Sequence, residues 1–269
     1  MPFYLIHCLA ATAQSIHYPP GTLYTGLGAY SRTFTQSFSF LSNQAALAGL
    51  SQTSAGLYAE QKYGLKELSM YMATVAVPVG RDGVGLAMQY AGFGDYNESS
   101  IGLAYGKNLG KISIGVQCNY NMIHIAGYGN DAALGIEAGS RWQVSRRFIT
   151  GIHIANPLGA RFTNNSNEKL AAAYQFGAGY EVSPQLFLSA EMSKEEDKPV
   201  NVQAGIQYNV ITNRLFIRTG LSTATTEPFM GIGCQWKNCR ADVNLRYHPQ
   251  LGLTPGLLLL FFGKTKTEP

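Results

Sequence analysis

Charge is scarce in this chain. Asp, Glu, Lys and Arg make up 13% of 269 residues, where soluble domains carry about 25%. Long apolar runs are lacking too. Mean hydropathy is −0.04, and the longest candidate, Leu257–Phe262, is far short of the roughly twenty residues a spanning helix needs. Cys8, Cys118, Cys234 and Cys239 form no C-x-x-C pair, and His7, His17, His124, His153 and His248 are dispersed. That leaves no metal-ligand framework and implies no cofactor. The net charge is only +4, with Lys and Arg scattered, so a phosphate-tracking basic surface is missing and nucleic acid is not an expected partner. The N-terminal apolar run has no basic region before it, yet it ends in Ala11-Thr12-Ala13, a small-residue cleavage signature. Residues 1–13 therefore read as a possible signal-peptide remnant. Cys8 sits in no convincing lipobox.

What the chain does have is 30 Gly, 16 Tyr and a repeated period-two alternation. Ile112, Ile114, Val116, Cys118, Tyr120 and Met122 share one face of a run. Ser113, Gly115, Gln117, Asn119 and Asn121 share the other. The run Val200–Val210 repeats the pattern, with Asn201, Gln203, Gly205, Gln207 and Asn209 on its polar face. Such runs lie near 54–62, 67–78, 83–93, 98–107, 111–123, 132–144, 147–155, 169–181, 185–193, 199–210, 214–222, 227–236, 240–248 and 252–262. About fourteen strands, each about ten residues long, fit a tilted crossing of a bilayer.

The connections alternate as well. Gly80–Asp82, Asn108–Gly110, Ser145-Arg146, Val182–Pro184, Ile211–Asn213 and Lys237-Asn238 are tight. Between them come Gly94–Asn97, His124–Asp131, Asn156–Glu168, Lys194–Lys198 and Thr223–Thr226, often longer. Tight periplasmic turns and longer exterior loops are the mark of an outer-membrane barrel. A soluble sandwich or lipocalin-like barrel would instead put charge on its outer face. The fold class expected is therefore all-β: a transmembrane antiparallel barrel over residues 54–263, in the outer membrane and in contact with its lipid. Residues 14–53 precede it as a hatch or plug, and 264–269 trail as a polar tail.

Phasing each strand with its more apolar face outward turns Glu137, Arg141, Glu191, Arg218, Asp242 and Arg246 into the lumen. These groups either brace the wall by pairing or line a solute path. Many other inward positions are small, among them Gly85, Ala87, Gly102, Ala104, Gly135, Gly139, Gly177, Gly179, Gly205, Gly231 and Gly233. They leave room for water, solute or a plug. Ser42–Leu50 reads as a short capped helix of small and apolar residues, available to fold back inside. Tyr58, Tyr63, Tyr71, Tyr90, Tyr105, Trp142, Tyr180, Trp236 and Tyr247 cluster near strand ends, as interfacial girdles require. His153 is the one His well inside a strand, on the inward face. No Ser is fixed beside it, so a lipid enzyme's His/Ser pair is not legible and no catalytic residue is assigned. A two-residue turn at Lys237-Asn238 sets Trp236 opposite Cys239, so Cys234 and Cys239 are not expected to bond.

Gly26–Tyr30, then Ser37–Ala48 with Asn43, Gln44, Ala45 and Leu47, resemble the N-terminal hatch motif of PorV/PorQ-type outer-membrane proteins, within the FadL-like barrel superfamily. Gln44 stands where that motif usually has Pro. Tyr105–Val116 and Asn156–Gly159 also look like the group. The resemblance implies a fourteen-stranded barrel with a hatch. It further implies a non-enzymatic secretion or surface-assembly accessory of the type IX kind, binding protein partners through rim elements His124–Asp131 and Asn156–Glu168. The alternative is a FadL-like or porin-like transporter of small or hydrophobic solutes. FadL-type transporters tend to be longer with extended surface loops, which favours the partner-binding branch.

Overall fold

The computed structural model describes residues 24, 26–163, 169–196, 198–212, 214–223 and 226–263. The possible signal-peptide remnant 1–13, residues 14–23 and 25 of the expected hatch segment, and the tail 264–269 lie outside the described residues. Fourteen strands run in sequence order: β1 Ser54–Gln61, β2 Ser69–Val79, β3 Asp82–Gly92, β4 Tyr96–Asn108, β5 Ile112–Ile125, β6 Gly129–Gln143 and β7 Phe148–Ala155. They continue with β8 Ala173–Glu181, β9 Leu186–Glu195, β10 Asn201–Ile211, β11 Leu215–Ser222, β12 Glu227–Trp236, β13 Cys239–His248 and β14 Gly252–Phe262. Each pairs antiparallel with its neighbours in sequence, and β14 returns to β1 with Ser54 opposite Phe262. Closure leaves no unpaired strand edge for lipid to meet. Among the described residues no helix is long and apolar enough to cross a membrane; strands make the crossing.

The alternation sets the two faces. On β5, Ile112, Ile114, Val116 and Tyr120 are exposed while Gln117 and Asn119 are buried. On β10, Val202, Ile206 and Tyr208 point out while Gln207 and Asn209 point in. Leu103, Leu134, Met230, Ile232 and Val243 continue the apolar outer belt. Water would make that surface costly at about 25 cal/mol per Å², whereas hydrocarbon makes it favourable. The barrel is therefore an outer-membrane barrel. Tyr71, Tyr105, Trp142, Tyr180, Trp236 and Tyr247 stand on the outer surface as the girdle reading requires. Tyr58 does not: it is buried inside the lumen. Its parity matches Ser54, Gly56 and Glu60, all inward on β1, and its hydroxyl donates to Glu60 at 2.8 Å.

Two loop expectations change. His124–Asp131 is not a rim loop. β5 and β6 run on to Ile125 and Gly129, joined by a three-residue turn, with His124 opposite Asn130 in the ladder. Continued alternation and cross-strand pairing outweigh the turn signal of the glycines there. Conversely, the strand expected from 169 begins at Ala173. Between β7 and β8, Phe162 and Leu170 turn inward and are buried against Ala133, with a bridge between Arg161 and Lys169. Both chain ends of the barrel lie at the tight-turn end, where the Gly263 N–H donates to the Thr53 carbonyl at 2.7 Å. Short turns mark the periplasmic end of such barrels, which assigns this end to the periplasm.

Candidate functional site

Ahead of β1, residues 26–50 occupy the lumen. A 3-10 turn (Gly26–Tyr30), one α turn (α1, Ser39–Ser42) and a 3-10 helix (Gln44–Gly49) succeed one another there. Tyr30, Phe38, Phe40 and Leu47 are nearly inaccessible. The capped helix is not continuous from Ser42, as the sequence suggests. Asn43 adopts an extended backbone between the two helical pieces, and its side chain accepts the Ala45 N–H at 3.1 Å. The same amide donates to the carbonyls of Ser140 and Ile152, both at 3.1 Å. One residue thus caps the helix and ties it to β6 and β7. Each such bond contributes about 1 kcal/mol net, and more is lost if a buried partner is orphaned.

The wall is shaped to this hatch. Gly83, Gly106, Gly115 and Gly139 are paired in register across β3, β4, β5 and β6. A Cβ on Gly83 would overlap the Leu47 carbonyl. On Gly106 it would lie 2.7 Å from Leu47 Cβ, and on Gly115 2.6 Å from the Ala45 nitrogen. The row continues through His153 on β7 to Gln175 on β8, and here side chains replace the space. His153 Nε2 lies 2.9 Å from Glu137 Oε2 and Nδ1 lies 2.8 Å from Gln175 Oε1. Gln44 Nε2 donates to Glu137 Oε2 at 2.7 Å, and Asn119 Nδ2 donates to Oε1 at 2.6 Å. Gln44, at the position where the resemblance has Pro, therefore joins hatch to wall through a side chain that Pro lacks.

The six lumen residues are not one cluster; they are spread round the wall, and the hatch passes between them. Arg141 Nη2 donates to the Ser31 carbonyl at 2.7 Å. Arg218 donates to the Tyr24 carbonyl at 2.9 Å and to Gln207 at 2.7 Å. Asp242 accepts from the Tyr24 hydroxyl at 2.9 Å and from Arg240 at 2.6 Å. Arg246 pairs with Glu60 at 3.1 Å and Glu227 at 3.5 Å. Glu191 lies beside Gly26 and Leu27. Sequence phasing missed Arg240, Glu60, Glu227 and Glu181. Arg240 shares parity with Asp242, and Glu60 with Tyr58, so strict alternation would have found both. Not all of the lumen is polar: Tyr58, Met70, Met72, Leu258 and Leu260 enclose Phe38 in an apolar sector. On the lipid face, Trp236 pairs with Cys239 and Cys234 with Ala241, the register of a two-residue turn.

Two spaces flank the hatch. The outer cavity, about 50 Å³, is lined by Leu41, Met122, Ile123, Phe162 and Leu170, over a polar floor of Gln117, Asn119, Glu98 and Glu137. The inner vestibule, about 770 Å³, opens among Arg32, Gly49, Arg81, Lys111, Arg141, Arg146 and Glu181. Gln44–Leu47 and the glycine row lie between the two.

No protein-family model matches the chain, and no curated protein does. Solved structures do. The chain is similar to the CymD monoaromatic hydrocarbon channel, with a TM-score of 0.61 and 11% identity over 89% of this chain and 95% of that one. It is similar to a Pseudomonas aeruginosa FadL homologue, at 0.58 and 12% over 88% and 96%. It is also similar to the P. putida toluene transporter TodX, at 0.57 and 9% over 88% and 96%. The fold is that of the FadL-type channels. At these identities the likeness is one of architecture, a point of difference from the sequence resemblance, which singled out the PorV/PorQ branch within that barrel type.

Proposed function

We propose that this protein is a hatch-controlled outer-membrane channel for small, mainly apolar solutes. The outer cavity carries the reading. It is concave: Leu41, Met122, Ile123, Phe162 and Leu170, from the hatch, the wall and the β7–β8 connection, give it an apolar side, and polar residues including Gln89, Glu98, Asn121 and Glu137 line the rest. An apolar side set against polar groups that can orient a ligand is a feature of small-molecule sites. A monoaromatic hydrocarbon channel and a toluene transporter among the fold relatives lend it support. The test is uptake of a small aromatic hydrocarbon by proteoliposomes. Ala87→Phe fills the cavity from β3 and should slow uptake several-fold with the barrel intact. Equal uptake by variant and parent, or none by the parent, rejects the reading.

A secretion or surface-assembly accessory of the PorV/PorQ kind is the second proposal. Tyr128 and Leu158 favour it, exposed by 91% and 83% at the outer rim, where lone apolar side chains offer anchors to a partner. A protein that co-purifies in stoichiometric amount, and is lost with Tyr128→Asp or Leu158→Asp, supports this reading. Co-purification indifferent to both substitutions removes it.

A further inference from the structure

The inner vestibule holds a feature that neither reading uses. Arg141 on β6 is 6% exposed. One of its terminal nitrogens holds the Ser31 carbonyl, but the other, Nη1, is buried with no hydrogen-bond partner. A buried guanidinium without a carboxylate is costly, because water no longer solvates the charge. Arg32, Arg81, Lys111 and Arg146 line the same space. The acid among the described lining residues is Glu181, and its carboxylate is already engaged by the Ser31 hydroxyl at 2.6 Å and the Arg32 and Thr33 N–H groups at 2.8 and 3.0 Å.

Gly49 shows where a ligand would go. It is exposed to the vestibule. A Cβ built on it would lie 3.5 Å from Nη1, 3.7 Å from Nη2 and 4.0 Å from Cζ of Arg141, with nothing nearer. A side chain grown from Gly49 would therefore meet the guanidinium first, and the vestibule beside it is lined mainly by positive charge. We propose that the vestibule binds a small water-soluble oxyanion, a phosphate or carboxylate, at Arg141. The ligand bridges the wall to the hatch, which contributes Arg32 and the Gly49 backbone. Planar guanidinium donors suit such anions, and their charge-assisted bonds are about twice as strong as neutral ones. Occupancy then stabilises the seated hatch by mass action.

Thermal unfolding and calorimetry of the full chain in a neutral detergent, with inorganic phosphate and separately benzoate as probes, test this. Binding should be saturable and should raise Tm, whereas chloride at equal ionic strength should not. Arg141→Gln should weaken binding roughly tenfold or more. Because Arg141 also holds Ser31, a second variant separates binding from folding. Gly49→Glu places a carboxylate over the guanidinium; it should abolish phosphate binding and raise the ligand-free Tm, whereas Gly49→Gln should retain binding. A phosphate effect matched by chloride, or unchanged in Gly49→Glu, overturns the proposal.

Discussion

Glycines in a strand interior weaken it and mark a close backbone approach. The row Gly83–Gly106–Gly115–Gly139 does so on four neighbouring strands at once. Single inward glycines were visible in the sequence, but their alignment was not, because alignment depends on register between strands. Tyr58 shows the complementary failure: its chemistry suited the girdle, while its parity placed it inside. The glycine row makes a prediction. Gly115→Val would drive its side chain into the Gln44–Ala45 peptide. Overpacking of this sort costs about 1–3 kcal/mol, and here the hatch can leave. The variant should keep its barrel by circular dichroism but show higher ion conductance in planar bilayers. Unchanged conductance with an unchanged Tm would mean that the hatch is not packed on β5. Gln44→Ala is the milder counterpart. It removes one donor from Glu137 and should destabilise by about 1–3 kcal/mol, read as a lower Tm.

At the scale of elements, strands were legible and the hatch was not. Period two gives each strand its length and its lipid face from local sequence alone. The hatch is held by partners far along the chain: Tyr24 meets Asp242 and Arg218, and Asn43 meets Ser140 and Ile152. No local pattern encodes such pairs. Only the cap survives as a local signal, at Asn43 rather than Ser42. The same reason explains the β7–β8 connection, where Leu170 leaves the strand pattern to meet Phe162 and Ala133. Two element-scale expectations follow. Deleting residues 43–49 should convert a weakly conducting barrel into an open one in bilayer recordings; a deletion variant as silent as the parent would show that other parts of the lumen close the path. Phe162→Ala with Leu170→Ala should loosen the β7–β8 connection and raise proteolytic nicking between β7 and β8, leaving the remaining strands protected. Nicking no faster than in the parent would mean that these two side chains do not hold the connection down.

For the whole molecule, alternation and low charge together required a lipid-facing barrel, and the connections gave it a direction. The structure sharpens that direction. The tight turns, both barrel termini and the basic vestibule share one end, while the buried Phe162 and Leu170 between β7 and β8 and the exposed Tyr128 mark the other. If the tight-turn end is periplasmic, cysteines on the two rims must differ in accessibility. Cys118, Cys234 and Cys239 face outward from the wall, so they are first replaced with Ala, and Cys8 with them. Tyr128→Cys should then react with a membrane-impermeant maleimide in intact cells. Asn238→Cys and Arg81→Cys should react only after the outer membrane is permeabilised. The reverse pattern would invert the barrel and put the basic vestibule on the cell surface. Labelling of both rims in intact cells would mean that the solute path is wide enough to pass the reagent, which the close contact of hatch and glycine row does not allow.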